Sequence, residues 1–157
     1  MNEKELLEKI EEIIKDFFER AGSEVEIKKI SLSQDNGRKV LTINLKTKEA
    51  NIFIGKQGLV LSDIQLLLRK ILKRKTDEDF FLNLDIDDYK KYKEDYIREL
   101  AQSAADEAVN QKEKKELPLA AAFDRRIVYL ELSKRTDVQV ESQGEGENRK
   151  IVITPLN

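Results

Sequence analysis

The sequence contains neither cysteine nor histidine. The absence of cysteine excludes a disulfide framework and thiolate chemistry. Together the two absences exclude a zinc site with nitrogen and sulfur ligands and a Ser–His or Cys–His nucleophile pair. Carboxylates remain as ligands for Mg²⁺, but no group of Asp and Glu residues has the spacing of a ligand set, and Gly55-Lys56 does not complete a P-loop. We therefore expect a protein that is not an enzyme and that holds no metal ion and no cofactor.

Long apolar segments are missing as well. The chain starts with Met1-Asn2-Glu3-Lys4-Glu5 and leads directly into a helix pattern, without the apolar region of a signal peptide. No run approaches the roughly 18 consecutive apolar residues that suggest a membrane span. These absences predict a cytoplasmic protein without a membrane partner. The 157 residues are 39% apolar and 38% charged, which allows one domain or two small ones with a densely charged surface.

Apolar patterns in the first half predict a small α/β unit. Residues 3–20 have apolar side chains at helical spacing, and Asn2 with Glu5 forms a capping box. Asn36-Gly37 indicates a type I′ hairpin turn between two strands, and the alternation of the first strand slips near Lys28-Lys29, as at a bulge. The remaining predicted elements are a helix over 48–54, a helix over 59–74 and a strand with Phe80, Leu82, Leu84 and Ile86 at alternate positions.

The second half predicts a separate unit that follows without a linker. We therefore expect an α+β fold class with two small α/β sandwich units, the first spanning residues 1–87 and the second residues 88–157. The predicted elements of the second unit are a long helix over 88–113, a polar loop over 112–116, a helix over 120–132 and two strands over 138–140 and 151–153.

The most informative motif is the Gly-x-x-Gly sequence Gly55-Lys56-Gln57-Gly58, which lies between two predicted helices. Neither glycine has a Cβ, so backbone N–H groups can closely approach a sugar–phosphate chain. KH domains use such a loop to clamp about four nucleotides of single-stranded nucleic acid. The motif by itself is short and weakly specific, so its surroundings decide how it is interpreted.

Those surroundings are strongly basic, although the whole chain has a net charge of -2. Residues 46–75 contain eight basic and two acidic residues, a net charge of +6, whereas residues 76–87 contain five acidic residues and no basic one. A local positive field beside a Gly-x-x-Gly loop favours nucleic-acid binding. Taken alone, the basic run over 69–75 is explained equally well as a solvated helix end.

The two halves together resemble a known pairing of domains. The first unit is followed by Asp124-Arg125-Arg126-Ile127-Val128-Tyr129 and by a tail over 141–153 with two glycines. From about residue 3 to residue 155, this order resembles the bacterial Jag family, also called the SpoIIIJ-associated or EloR/KhpB family. The resemblance implies a type II-like KH domain followed by an R-three-H domain, which is named for an Arg-x-x-x-His motif. Here Tyr129 occupies the position of the histidine, and the additional N-terminal domain of many Jag proteins has no counterpart in the chain.

The resemblance also implies a function. We expect a non-catalytic regulatory protein that binds single-stranded RNA, with a role in post-transcriptional regulation linked to cell elongation and division. A separate single-domain KH protein, or a second copy of the chain, is the expected protein partner. The alternative is a protein-interaction adaptor that uses the KH fold as a dimerisation scaffold, because fold alone does not decide function.

The predicted RNA-contacting residues fall into three groups. The loop binds the RNA backbone, apolar side chains before and after it line a groove under the bases, and basic residues of both units bind phosphate. The predicted contacts are Ile54, Gly55, Lys56, Gln57, Gly58, Ile64, Leu68, Arg69, Lys73, Arg125, Arg126, Tyr129 and Arg149.

Several of these residues have structural alternatives. Arg125 and Arg126 are also compatible with an ordinary helix surface pair or with a salt bridge to Asp124 or Glu131. A tyrosine at position 129 keeps a hydroxyl and a flat ring but cannot become cationic. In the long helix, the tyrosines at positions 89, 92 and 96 have a helical spacing that favours core or interdomain packing over base stacking.

Overall fold

A computed structural model describes residues 1–156, which form two units that divide between Lys90 and Lys91. Each unit combines helices with a three-stranded sheet, so the predicted α+β fold class is confirmed. Across these residues, none of the helices has the length and apolarity needed to cross a membrane. In chain order the elements are α1 (Glu3–Arg20), β1 (Glu26–Asp35), β2 (Arg38–Lys46), α2 (Ala50–Ile54), α3 (Leu59–Thr76), β3 (Phe81–Ile86), α4 (Tyr89–Gln111), β4 (Lys115–Leu117), α5 (Ala122–Leu132), β5 (Val138–Gln143) and β6 (Lys150–Pro155).

The first unit begins with a helix whose two ends are both closed by local hydrogen bonds. The predicted capping box is confirmed: Glu5 N donates to Asn2 Oδ1 at 2.9 Å, and Asn2 N donates to Glu5 Oε2 at 3.1 Å. At the other end, Gly22 has a φ of +84° and its N–H bonds the Glu19 carbonyl, while Ser23 N bonds the Phe18 carbonyl. This Schellman pattern ends α1 and turns the chain toward β1.

The sheet of the first unit has the order β1-β2-β3. Antiparallel β1 and β2 are joined at Asn36-Gly37, where both residues have the positive φ that a type I′ turn requires, and the register shifts between Ile27 and Lys29. The predicted hairpin and bulge are therefore confirmed. Strand β3 pairs in parallel with β2, so α2 and α3 form the crossover between them.

One face of this sheet carries the core of the first unit. Alternate residues of β2 and β3 are buried on this face, and they pack with the apolar side of α1 and with α3. Burial of these side chains removes apolar surface from water, which is the main stabilising contribution in a unit of this size. The largest fully buried side chains are Phe18, Phe80, Ile10, Ile14, Leu41, Ile43, Leu45, Leu68, Leu72, Leu82, Leu84 and Ile86.

The second unit is built on an antiparallel sheet with the order β4-β6-β5. Four alanines of α4 are buried together with the apolar side of α5 and with Ile151 and Ile153 of β6. The prediction of a polar loop over 112–116 is wrong in its last part, because Lys115–Leu117 pairs with β6 and buries Leu117. The other predicted helices and strands are confirmed, with helix ends that differ by about two residues.

The burial pattern of α3 yields a first prediction. Leu72 is fully buried in the core, whereas the side chain of Leu66 on the same helix is 55% exposed. We expect Leu72→Ala to destabilise the protein by about 2–5 kcal/mol, because the substitution removes buried contacts and leaves a cavity. Leu66→Ala, the matched control, should change the unfolding free energy by no more than about 0.5 kcal/mol. Chemical denaturation measures both values, and equal losses would show that α3 does not pack with this face inward.

Candidate nucleic-acid interface

The Gly-x-x-Gly loop is a tight turn that both glycines make possible. Gly55 has φ +70° and ψ −177°, and Gly58 has φ +77° and ψ +15°. A Cβ on Gly55 would lie 2.3 Å from Val60 Cγ2, and a Cβ on Gly58 would lie 2.8 Å from Tyr89 Cε1. Because real Cβ atoms essentially never come this close to another atom, a side chain at Gly55 or Gly58 would force Val60 or Tyr89 to move, and both positions also have the positive φ that favours glycine.

The two residues between the glycines are presented to solvent. Lys56 and Gln57 are exposed, and Gln57 has a left-handed φ of +55°. The Lys56 side chain has no hydrogen-bond or ion-pair partner among residues 1–156. Helix α3 starts directly after the loop, and its first turn contains no acidic residue that would offset the partial positive charge of its N-terminus. The loop therefore offers an unpaired ammonium group and a helix start that both attract an anion.

Two of the predicted basic contacts on α3 are already paired. Arg69 Nη2 lies 3.3 Å from Asp79 Oδ1, and Lys73 Nζ lies 3.2 Å from Asp79 Oδ2. The hydrogen bond and charge of Lys73, reinforced by those of Arg69, hold the pKa of Asp79 below its usual value. The basic residues at positions 70, 74 and 75 are exposed and have no ion-pair partner within the described residues. The positive field predicted from the sequence is thus partly neutralised inside the first unit.

A groove runs between α3 and the outer edge of β3. It has a volume of about 290 Å³ and includes Gln65, Leu66 and Arg69 on the helix side and Phe81 on the strand side. The Phe81 side chain is 54% exposed, which is unusual for a phenylalanine and places an aromatic ring at the groove. The predicted RNA contacts did not include Phe81. Its exposure could have been predicted from the sequence, because side chains of β3 alternate between two faces and Leu82 lies on the buried one.

Three polar side chains form a hydrogen-bonded group at the outer edge of β3. Lys90 Nζ donates to Gln65 Oε1 at 3.2 Å and to Asn83 Oδ1 at 2.8 Å, and Leu84 N also donates to Gln65 Oε1 at 3.1 Å. Burial lowers the pKa of Lys90, which the charge of Asp85 opposes. Because both amide oxygens accept hydrogen bonds, the amide nitrogens of Gln65 and Asn83 are the donors that a ligand could use.

The carboxylate of Asp85 lies beside this group. Its Oδ1 accepts hydrogen bonds from Ile86 N at 2.9 Å and from Lys90 N at 3.2 Å, while burial raises its pKa. Side-chain oxygens therefore bond the N–H groups of Leu84 and Ile86 on the outer edge of β3. This arrangement blunts the edge against pairing with another strand.

The predicted apolar groove residues do not lie in this groove. Leu68 is fully buried and Ile64 is almost fully buried, both in the core of the first unit, and the half-buried Ile54 packs against the same core. The prediction that Ile64 and Leu68 line a groove under the bases is therefore wrong, because their helical positions point to the sheet. Leu66 and Phe81 are the apolar side chains that the structure places at the groove instead.

Arg125 has a structural position in the second unit. Its side chain is buried, and Nη1 donates to the backbone carbonyls of Leu119 and Ala120 in the segment before α5. This corrects all three interpretations of Arg125, since it is not accessible to RNA, does not lie on the helix surface and forms no salt bridge with Asp124 or Glu131. Its neighbour Asp124 pairs instead with Lys93 Nζ at 3.3 Å.

The other predicted contacts of the second unit are at the surface. Arg126 and Arg149 are exposed and have no ion-pair partner among the described residues. Tyr129 is partly exposed, and its hydroxyl lies 3.0 Å from Ser142 Oγ on β5. The turn after β5 needs Gly144, because a Cβ there would lie 2.5 Å from the Asn148 carbonyl oxygen. This close turn brings the start of β6, and with it Arg149, back beside the end of β5.

The tyrosines of α4 correct another prediction. Tyr92 is 71% exposed and Tyr96 is 64% exposed, so the core packing favoured from their spacing is wrong for both. Tyr89 fits that prediction, because it packs against the core of the first unit and its ring borders Gly58. Helical spacing alone could not distinguish the packed tyrosine from the two exposed ones, because burial depends on which other elements pack against each position.

Comparison with known proteins finds one matching domain family and a group of homologous proteins. Residues 95–155 match the R-three-H domain family. The chain is homologous to proteins named RNA-binding protein KhpB: it is 24% identical to that of Streptococcus pneumoniae serotype 2 over 123 residues, 26% identical to that of Clostridium symbiosum over 125 residues and 26% identical to that of Bacillus subtilis over 128 residues. These alignments cover 78–80% of this chain.

The lengths of these alignments are informative in two ways. The second unit has fewer residues than any of the alignments, so the similarity extends into the first unit. The alignments cover only 38%, 56% and 62% of the three relatives, so the chain matches about two fifths to three fifths of their length.

Because Arg125 is buried, we predict that its replacement reduces the stability of the protein. Replacement of an exposed residue would leave the stability nearly unchanged. We expect Arg125→Ala to destabilise the protein by about 2–3 kcal/mol, because the carbonyls of Leu119 and Ala120 lose a charged donor and a buried side chain loses its packing. Arg126→Ala, one residue further along α5 and exposed, should stay within about 0.5 kcal/mol of the parent. Thermal and chemical denaturation test the pair. Equal stability of both variants would contradict the structural position of Arg125.

The loop geometry predicts that Gly55 is required for the fold. We expect Gly55→Ala to destabilise the protein by about 1–3 kcal/mol from backbone strain, with a further loss from the clash with Val60. Gly22→Ala is the control, because its φ of +84° also disfavours alanine but no atom lies within 4 Å of a Cβ there. If Gly22→Ala proved at least as destabilising, the close contact at Gly55 would be contradicted.

Proposed function

We propose that this chain binds single-stranded RNA without catalysing a reaction, with a KH-type first unit and an R-three-H second unit. The observation that carries the proposal is the exposed Gly-x-x-Gly turn, with its unpaired Lys56, at the start of α3. Its unit has two further features that fit a type II-like KH domain, namely the order of helices and strands and the parallel pairing of β3 with β2. The homology to RNA-binding KhpB proteins supports the same function.

The proposed binding mode follows from the shape of the first unit. Phosphates bind at the loop, where Lys56 and the start of α3 both favour negative charge. Bases then lie along the groove between α3 and β3, where Phe81 offers a face for stacking. Stacking of one base on an aromatic side chain contributes about 1–3 kcal/mol. A paired duplex cannot place its bases in this way, so single strands are preferred.

The second unit contributes a smaller, separate patch in this proposal. Arg126 and Arg149 supply charge, and Tyr129 supplies a ring and a hydroxyl at the position of the motif histidine. A tyrosine does not gain positive charge in mildly acidic solution as histidine does. The affinity of this patch for phosphate should therefore not increase between about pH 8 and pH 5.5, the range in which histidine titrates.

The biological role is proposed from the resemblance to the Jag family. We propose post-transcriptional regulation linked to cell elongation and division, in the cytoplasm, where RNA is available. The proposed protein partner is a single-domain KH protein or a second copy of the chain.

A protein-interaction adaptor is the second candidate function. It is favoured by a group of exposed apolar side chains on α2 and α3, since patches of this kind mark contact surfaces. Salt separates the two candidates: RNA binding through phosphate contacts weakens steeply as salt rises, whereas an adaptor needs no RNA affinity. The exposed residues are Ile52, Leu59, Val60, Leu66 and Leu67.

Reversal of the loop charge tests the RNA-binding proposal. Lys56→Asp combined with Gln57→Asp keeps both glycines but places two carboxylates where phosphates are proposed to bind. We expect a loss of about 1–3 kcal/mol in binding free energy after screening, or roughly a 5- to 150-fold loss in affinity for a single-stranded oligonucleotide. Fluorescence anisotropy measures the affinity, and circular dichroism confirms the fold.

The matched control makes the same charge change elsewhere in the first unit. Lys29→Asp combined with Ser33→Asp alters two residues of β1, the edge strand opposite β3 in the sheet. This variant should lose much less affinity than the loop variant. A folded loop variant that binds RNA as tightly as the parent would overturn the loop assignment and favour the adaptor.

A further inference from the structure

The carboxylate of Asp79 forms ion pairs with two cations beside the groove of the first unit. Each oxygen of Asp79 pairs with a different residue of α3, Oδ1 with Arg69 Nη2 at 3.3 Å and Oδ2 with Lys73 Nζ at 3.2 Å. Asp79 lies in the short segment between α3 and β3, two residues before Phe81. All three charged side chains are about half exposed, so solvent and ligands can reach the pairs.

The location of this triad matters for binding. Arg69 and Phe81 together border the groove along β3 and a second depression on the side of the β1–β2 hairpin, and Asp79 borders the second. A strand of RNA that stacks a base on Phe81 therefore brings its phosphates within reach of Arg69. In the unbound protein, the carboxylate of Asp79 holds the position that such a phosphate would take.

Exchange of one anion for another at exposed pairs is feasible. Ion pairs at this exposure change an equilibrium by roughly 1.5- to 5-fold each, so a ligand phosphate can displace the carboxylate. The displaced Asp79 remains nearby as a like charge and continues to repel the phosphate. Both effects lower the affinity for any polyanion by an amount that does not depend on its bases.

We propose that Asp79 is a built-in competitor for RNA phosphate that makes the groove selective for single strands with accessible bases. The proposal rests on RNA binding by the first unit. A ligand that offers only charge gains little from replacing one anion with another, whereas a single strand also gains stacking on Phe81. Asp79 thereby lowers the affinity for both kinds of ligand by a similar factor, and the single strand stays bound because stacking supplies the affinity that charge alone no longer provides.

Neutralisation of Asp79 tests the proposal. Asp79→Asn should tighten binding of a single-stranded oligouridylate by roughly 2- to 10-fold, because two cations become available to phosphate. Binding of inorganic polyphosphate with the same number of phosphates should tighten by a similar factor while remaining weaker than that of the oligouridylate, since the penalty from Asp79 does not depend on the bases and stacking does not contribute to polyphosphate binding. The slope of log affinity against log salt should steepen by about one for each additional phosphate that the variant neutralises.

Two further variants make the result specific to the triad. Asp77→Asn removes the same charge from the same segment, but Asp77 pairs with no cation among residues 1–156, and its left-handed φ of +56° suits asparagine. It should tighten binding much less than Asp79→Asn. In a background with Arg69→Gln and Lys73→Gln, Asp79→Asn should change the affinity hardly at all, because its partners are gone.

The outcomes separate this proposal from the proposed function. Suppose that the parent binds oligouridylate but Asp79→Asn tightens the binding of neither ligand, or tightens it no more than Asp77→Asn does. The competitor proposal is then overturned and RNA binding stands. If the parent binds no RNA but Asp79→Asn still tightens polyphosphate binding through Arg69 and Lys73, the proposed function fails and the selectivity for RNA fails with it, although Asp79 still competes with phosphate for the two cations.

Discussion

The absence of side chains at Gly55 and Gly58 is the constraint on which the first unit depends. A Cβ at Gly55 would overlap Val60, and one at Gly58 would overlap the ring of Tyr89. This close turn leads the short α2 directly into α3 within the crossover from β2 to the parallel β3. The same turn leaves the Lys56 side chain in solvent at a helix start, so the steric requirement of the fold also creates the place where an anion can bind.

Charge in the first unit is organised around this turn. Lys56 has no partner in the described part of the chain, whereas Arg69 and Lys73 share Asp79 further along α3. An incoming anion therefore meets an unpaired cation at the loop and paired cations beside Phe81. The unpaired cation at the loop attracts an anion more strongly than the paired cations do, and binding farther along the groove requires exchange of partners. Such an arrangement favours binding that starts at the loop and extends toward β3.

Much of the fold could be predicted because its signals are local. The capping box at Asn2, the Asn36-Gly37 turn and the bulge in β1 each depend on residues within a few positions of one another. Strand β4 could not be predicted in this way, because three residues become a strand only by pairing with β6, more than thirty positions later. Its single buried residue, Leu117, gives no recognisable alternation.

The site was predictable at the loop and much less so around it. The Gly-x-x-Gly motif identifies its own geometry, but the side chains nearby are positioned by contacts between distant segments. Ile64 and Leu68 share the helix face of the buried Leu61 and Leu72, which the α3 pattern shows and the groove interpretation overlooked. The carbonyl contacts of Arg125 depend on loop conformation, which composition and spacing do not reveal.

The central claim, that single-stranded RNA binds at the Gly-x-x-Gly turn, is tested most directly by adding a single-stranded oligonucleotide to the isotope-labelled protein and following its backbone amide NMR signals. We expect the largest shifts at residues 55–59, with further shifts along α3 and β3. Shifts confined to the second unit, or an unchanged loop at saturating RNA, would contradict the claim.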